Sequence, residues 1–418
     1  VRDGAGGEPI AVHPLGKGPK GLSRHDAVGT SPGGTLSVLF VIDSLGSGGA
    51  ERSLQEALPL LVDEGVTPLV VCLVRRDEGF VQEVLDAGFD VRFLRSRGLL
   101  GRVREVRRLI RALRPDIVHT TLFDSDIVGR LAGMQGSSAV VTSLVNTPYP
   151  AVRLEDPNVR AVRLRAARAI DAWTARHLTG HFHAVSHAVK AAAVRSLRLP
   201  PQRITVIERG RDPARLGIPS PARRRTARNR LGLDADAEVL VNVGRQEFQK
   251  GQRYLLEAIG QLVASHPGIV LLVAGRRGNA SAELEGISTA PALGGRVRFL
   301  GHRDDVPEVL AAADLFVFPS LYEGLGGAQL EAMALGLPLV SSDLEAVREV
   351  VEPGGNALLV PPKEPARLAS AISTLLRDEQ KRSSFGKRSR EIFLGRFTLD
   401  RIASRMRGMY EEVLGRGP

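Results

Sequence analysis

Two glutamates eight positions apart, Glu323 and Glu331, flank a glycine-rich turn in the stretch Phe318 to Gly336, FPSLYEGLGGAQLEAMALG. The pattern reads as a strand ending at Pro319, a turn through Gly324, Leu325, Gly326 and Gly327, and a helix that carries Glu331 about a turn in. Glycines let backbone amides approach an anion and the helix N-terminus adds fixed positive charge, so a pyrophosphate is the natural occupant. Glu331 would then accept hydrogen bonds from ligand hydroxyls; the plainer alternative is a glycine turn with a capping Glu. A second constellation is Val243-Gly244-Arg245 with Lys250-Gly251 shortly after. Arg245 ends a strand and Lys250 precedes a helix, so both cations would project over a sheet edge, where they could neutralise a departing diphosphate. A surface salt bridge is the competing account.

Gly46 to Gly49 follows the first strand and could line an opposite wall. His119 ends the strand Asp116 to Thr120 and, taken alone, reads as structural. The triplets Asp124-Ser125-Asp126 and Asp234-Ala235-Asp236 could hold a divalent ion, but the first opens a helix where Asp caps and the second falls in a linker, so no metal dependence is expected. No P-loop, G-x-S-x-G elbow or H-E-x-x-H pair occurs, which argues against Walker-type NTPase, esterase and zincin chemistry.

These residues need a scaffold, and the chain supplies strand and helix in alternation. Short apolar runs near 38–45, 68–74, 90–94, 116–120, 138–144, 181–186 and 204–208 are separated by helix-like stretches. A second series lies near 239–243, 269–274, 297–300, 315–318, 338–341 and 357–360. Apolar strands joined by crossovers imply parallel sheets covered on both faces. The expected organisation is a leader over 1–35, disordered; an N-terminal Rossmann-like domain over 36–212; a basic linker over 213–237; a C-terminal Rossmann-like domain over 238–395; and a helix over 396–418 crossing back to the first domain. Two doubly wound domains would face each other across a ligand cleft.

At 418 residues, 43% hydrophobic and 25% charged, the composition is that of a folded multidomain protein. The net charge of +11 rests on fifty Arg against seven Lys, and aromatics at 4% are too scarce for nucleic-acid stacking, so no nucleic-acid partner is expected. The single Cys72 sits in an apolar run and allows no intrachain disulfide. Without an apolar run near membrane-spanning length, a cytoplasmic protein is expected. The Arg-rich stretch Val159 to Arg176 could lie on an anionic membrane, placing the protein peripherally at the inner face; a solvated helix face is the alternative.

VGRQEFQKG, LLVAG, VRFLGHRDDVPEVLAAADLFVFPSLYEGLGGAQLEAMALGLPLV and the early DSLGSGGAERS resemble the retaining glycosyltransferases of family 4, which have the GT-B fold. The resemblance covers nearly everything after Leu36 and is most specific from Val239 to Pro362. Glu323 and Glu331 meet the family's E-x7-E motif. It implies that Arg245 and Lys250 hold the donor diphosphate, that Glu331 binds the ribose hydroxyls, and that Glu323 contacts the donor sugar with amides around Gly324 to Gly327. Gly48 and Gly49 match the loop that closes on the diphosphate, and His119 matches a His near the transferred sugar. Gly275, Arg276 and the segment Gly301 to Val306 fall around the nucleobase, and the resemblance makes 36–212 the acceptor domain and 238–395 the nucleotide-sugar donor domain. Two departures stand out. Thr121 replaces the second His of His-x-His, and Arg209-Gly210-Arg211-Asp212 replaces Asn-Gly followed by an apolar residue and Asp.

The implied activity is metal-independent, retaining transfer of a hexosyl group from a UDP- or GDP-sugar to an acceptor hydroxyl on a glycolipid, polysaccharide precursor or small natural product, with no cofactor. An epimerase or sugar phosphorylase on the same fold, or a non-catalytic nucleotide-sugar binder, are the alternatives.

Overall fold

The computed structural model describes residues 35–76, 78–134 and 136–415. The leader expected over 1–35 lies, but for Thr35, outside the described residues, as do the last three. Runs such as LSVLFVI offer no polar face to water, and the structure buries both sides. In β1 (Leu36–Ile42), Leu36, Val38, Phe40 and Ile42 enter one apolar cluster while Leu39 and Val41 enter another.

Six strands join β1 in parallel: β2 (Val66–Cys72), β3 (Val91–Phe93), β4 (Ile117–Thr121), β5 (Ala139–Leu144), β6 (His181–Ala184) and β7 (Ile204–Val206). Their order is β3-β2-β1-β4-β5-β6-β7. A second parallel sheet contains β8 (Glu238–Val243), β9 (Ile269–Ala274), β10 (Val297–Gly301), β11 (Leu315–Phe318), β12 (Leu339–Ser342) and β13 (Ala357–Val360), ordered β10-β9-β8-β11-β12-β13. These are two Rossmann-like domains. Each sheet reverses its winding beside its first strand, at β1/β4 and at β8/β11, and a crevice opens there beyond the strand ends.

Two chain segments cross between the domains side by side. The Arg211 amide donates to the Phe397 carbonyl (2.9 Å), and the Leu399 amide donates to the Arg211 carbonyl (3.2 Å). Gly210 permits this approach, since a side chain there would run into the Leu399 backbone. Beyond the crossing, the helix Leu399–Val413 completes the core of the first domain, with Ile402, Met406, Met409 and Tyr410 packed among Leu58, Leu61, Phe40 and Ile117. On the far side of the domain contact, Glu349 accepts from the amides of His187 (2.7 Å) and Ala188 (2.6 Å), capping the helix His187–Leu197 across the interface. The Ser186 hydroxyl donates to the Gly324 carbonyl at 2.7 Å.

The basic stretch within 213–237 is not the solvated linker face that its charge suggests. Its helix, Pro221–Arg230, lies against the second domain. Arg224 and Arg228 pair with Asp314 at 2.6 and 2.8 Å, and Arg223 pairs with Glu308 at 2.8 Å. Arg228 is buried and also donates to the carbonyls of Ala312 and Ala235. The arginines satisfy carbonyls and a carboxylate that packing would otherwise leave without partners.

Tyr410→Ala should therefore destabilise the first domain by about 3–5 kcal/mol. Urea unfolding followed by Trp173, the sole tryptophan, which lies in that domain, reads the effect. An unchanged midpoint would show that the C-terminal helix contributes nothing to that core.

Candidate active site

A cleft of about 510 Å³ lies between the domains and is lined almost entirely by residues just beyond strand ends or on the crossing segment. The volume is within the range that encloses a small organic ligand. Two helices point their N-termini into it from opposite sides. Gly49–Asp63 begins after Gly48, and Gly327–Ala334 begins after Gly326; neither N-terminus has a side-chain cap. Their leading amides and dipoles favour an anion between them. Glu51 folds back over Gly48, where any side chain would collide with its carboxylate. Burial raises the Glu51 carboxyl above its ordinary value.

Gly48, Gly49, Arg245, Lys250, Gly275, Arg276, Val306, Glu323, Leu325, Gly326, Gly327 and Glu331 all line the cleft. Arg245 is exposed, with only a 3.9 Å approach to Glu247. Lys250 lays its stem along Gly244, sits over the Phe318 ring and donates to Glu323 at 2.5 Å. The cation expected on a phosphate and the carboxylate expected on a sugar thus hold each other. Thr147 of the first domain donates to the Glu323 carbonyl.

Glu331 is engaged as well. It accepts from Arg211 at 2.9 Å and from Arg52 at 3.5 Å, while Arg211 also approaches Glu56 at 3.7 Å. Arg211 is 1% exposed and bridges a carboxylate from each domain. Burial opposes its charge, but Glu331 and Glu56 hold its pKa above the usual arginine value. Glu56 is itself pushed up by burial and by the charge of Glu331, against Arg211 and Arg215. Gly327 makes this possible: a Cβ there would run into the Arg211 guanidinium.

Two of the expected site residues lie outside the cleft lining. His119 lies on β4, 2% exposed and away from the cleft lining, with Nδ1 bonded to the Tyr410 hydroxyl and Nε2 to Ser143, both at 2.7 Å. Both ring nitrogens are occupied inside the domain, so His119 holds the sheet to the C-terminal helix in this structure. Gly324 does not line the cleft either. It packs on the backbone of Val145 and Asn146, where a side chain would collide, so its glycine serves the domain contact. Of the D-x-D triplet, Asp126 faces Arg130 at 3.8 Å, and burial pushes its carboxyl up to about 8.

The cleft also contains residues that sequence patterns left out: Asp43, Arg52, Arg76, Leu122, Asn146 and Arg209. Arg209 rests on Gly49 and donates weakly to the carbonyls of Leu325 (3.3 Å) and Val145 (3.4 Å). Burial and neighbouring Arg211 bring its pKa to about 10, still cationic at neutral pH. Its departure from the family pattern was the one visible signal. Leu122, at φ 80° and ψ 153°, occupies a backbone region nearly reserved for glycine, a strain that no sequence pattern announces.

Arg211→Met should cost about 3–5 kcal/mol, because two buried carboxylates lose their counter-ion. Gly327→Ala should displace the same guanidinium more mildly; equal unfolding midpoints for both variants and the parent would contradict the bridging role. Burial and neighbouring His183 bring His119 down to about 3, from an ordinary 6.5. The unfolded chain binds a proton there that the native chain refuses, so this group's contribution is present above pH 6.5 and is lost as pH falls toward 3. His119→Gln should flatten the pH dependence of stability across that window by about 1.4 kcal/mol per pH unit, read from urea titrations.

Two family models match the chain in succession: Glycosyltransferase Family 4 over residues 47–215 and Glycosyl transferases group 1 over residues 223–392. Among curated relatives, the alpha-D-kanosaminyltransferase of Streptomyces kanamyceticus is 28% identical over 60% of this chain and 65% of its own length. The lipopolysaccharide core biosynthesis glycosyltransferase LpsE of Rhizobium meliloti is 35% identical over 42% of this chain and 50% of its own. The chain thus spans between half and two thirds of these relatives. Among solved structures, HepE of Anabaena in complex with UDP and glucose superposes with a TM-score of 0.79 at 24% identity, covering 90% of this chain and all of that one.

Proposed function

The chain belongs to the GT-B glycosyltransferases of family 4 type, and from that premise we propose that it moves a hexosyl group from a nucleoside diphosphate sugar to an acceptor hydroxyl, with retention and without a metal. The observation that carries the reading is the meeting of two uncapped helix N-termini with Arg245, Lys250 and Arg209 in one cleft. That is a site for a compact, multiply charged anion, and a diphosphate fits it.

In the proposed reaction, the donor's phosphates draw Lys250 away from Glu323. The ammonium then faces the leaving group, and the freed carboxylate accepts hydrogen bonds from the sugar hydroxyls. As the bond from the anomeric carbon to the phosphate oxygen breaks, positive charge builds on the sugar. Arg245, Lys250 and the helix termini absorb the negative charge of the departing diphosphate. The acceptor oxygen attacks on the same face, its proton passes to the leaving phosphate oxygen, and the new glycosidic bond keeps the anomeric configuration. A double displacement would need a carboxylate close beneath the ring; of those lining the cleft, Glu331 is bound to Arg211, Asp43 accepts from Ser125, Glu51 lies over Gly48, and the freed Glu323 is engaged by the sugar hydroxyls.

UDP is the preferred leaving group in this reading, supported by the UDP complex of the Anabaena neighbour. UDP, but not UMP, should raise the melting temperature by mass action. Arg245→Ala and Lys250→Ala should each lower kcat about 10²–10³-fold in an assay for acceptor-dependent release of nucleoside diphosphate. Turnover within a few-fold of the parent in both would remove them from the leaving-group role, and release without acceptor would favour a hydrolytic or phosphorolytic enzyme.

A further inference from the structure

We propose that the outward face of the helix Ala161–Leu178 docks on an anionic lipid bilayer. At 100° per residue, Val162, Ala166, Ala169, Ile170 and Trp173 fall on one stripe, which ends at His177 beside the Trp173 ring. The stripe faces solvent: Val162 is 77% exposed, Ile170 52% and Trp173 51%. The opposite face is pinned. Asp171 accepts from buried Arg130 at 2.7 Å and from the Tyr149 hydroxyl at 2.9 Å, and Thr174 accepts from Arg130 at 3.1 Å. The helix cannot roll to hide its apolar side without breaking this buried network.

Charge selects the occupant. Arg163 borders the stripe on one side, with Arg165 and Arg176 on the other, while the helix's only carboxylate, Asp171, is inside and paired. Arg168 stands apart from the rim, bonded to the Ser196 carbonyl. An apolar centre with cationic borders matches the boundary between acyl chains and anionic headgroups, and a tryptophan belongs at that depth. A second copy of the same face would oppose arginine to arginine. The chain reaches this helix from the cleft: Thr147 is bonded to Glu323, and Asp156 accepts from Asn279 of the other domain at 3.2 Å. Docking would hold the cleft close to the lipid surface, within reach of an acceptor anchored there. The docking itself does not depend on the glycosyl transfer proposed above.

Trp173 is the only tryptophan in the chain, so its emission reports the stripe directly. The full chain is mixed with vesicles of phosphatidylcholine alone or with phosphatidylglycerol, at low and high salt. The expected result is a blue shift and co-sedimentation with the phosphatidylglycerol vesicles, reduced by salt. Neutralising the rim with Arg163→Gln, Arg165→Gln and Arg176→Gln should weaken partitioning about fivefold per residue, on the order of 10²-fold together. Ile170→Ser should weaken it with the charges intact, and transfer to a water-soluble acceptor should be unchanged in all these variants. Absence of binding to phosphatidylglycerol vesicles, or equal binding to neutral ones, overturns the proposal. So does a blue shift that grows with protein concentration in the absence of lipid, which assigns the face to a second copy. Vesicle binding without any transfer would leave the docking surface standing and remove the catalytic reading instead.

Discussion

Taking the Arg211 guanidinium out of water costs several kcal/mol, and the carboxylates of Glu56 and Glu331, one from each domain, offset it. This pairing sits on the segment where the chain first passes between domains, beside the segment where it passes back. It orients Glu331 at the mouth of the cleft and ties that orientation to the first domain through Glu56 and Arg52. An apolar residue, usual at this place in the family, could fill space but could not fix a carboxylate. Gly327 is the counterpart, since its missing side chain leaves the volume that the guanidinium occupies.

The strand and helix series was legible because central strands such as β1 and β9 are apolar on both faces, a pattern that parallel sheets with covered faces require. The turn carrying Glu323 and Glu331 was legible for a similar reason: a local glycine-rich segment fixes its own conformation and announces its chemistry. What remained hidden depends on distance along the chain. His119 and Tyr410 are 291 positions apart, and nothing near His119 reveals that its ring is already occupied. The arginines of Pro221–Arg230 read as solvated because their partners, Glu308 and Asp314, lie more than eighty residues away. Gly324 shows a subtler limit. The sequence asks for a glycine there, but only the fold tells whether ligand or backbone makes the close approach.

The cleft holds its charges in provisional pairs. Lys250 rests on Glu323, Arg52 leans on Glu331, and Glu51 folds over the N-terminus that an anionic ligand would cap. Each pair shields groups that would otherwise repel one another in a confined space. In the proposed reaction each would be exchanged for a contact with phosphate or a sugar hydroxyl, one polar contact for another. Arg211 is different, being wholly enclosed.

The seam formed by Glu349, the capped helix His187–Leu197 and the Ser186–Gly324 bond has a mechanical consequence. It closes one flank of the molecule with apolar packing that runs continuously from Leu144 and Val189 to Phe316 and Val350. The two halves therefore resemble the leaves of a bound book. Gly324 sits in that spine, packed on the backbone of Val145 and Asn146, whereas Arg76 and Arg303 line the open cleft.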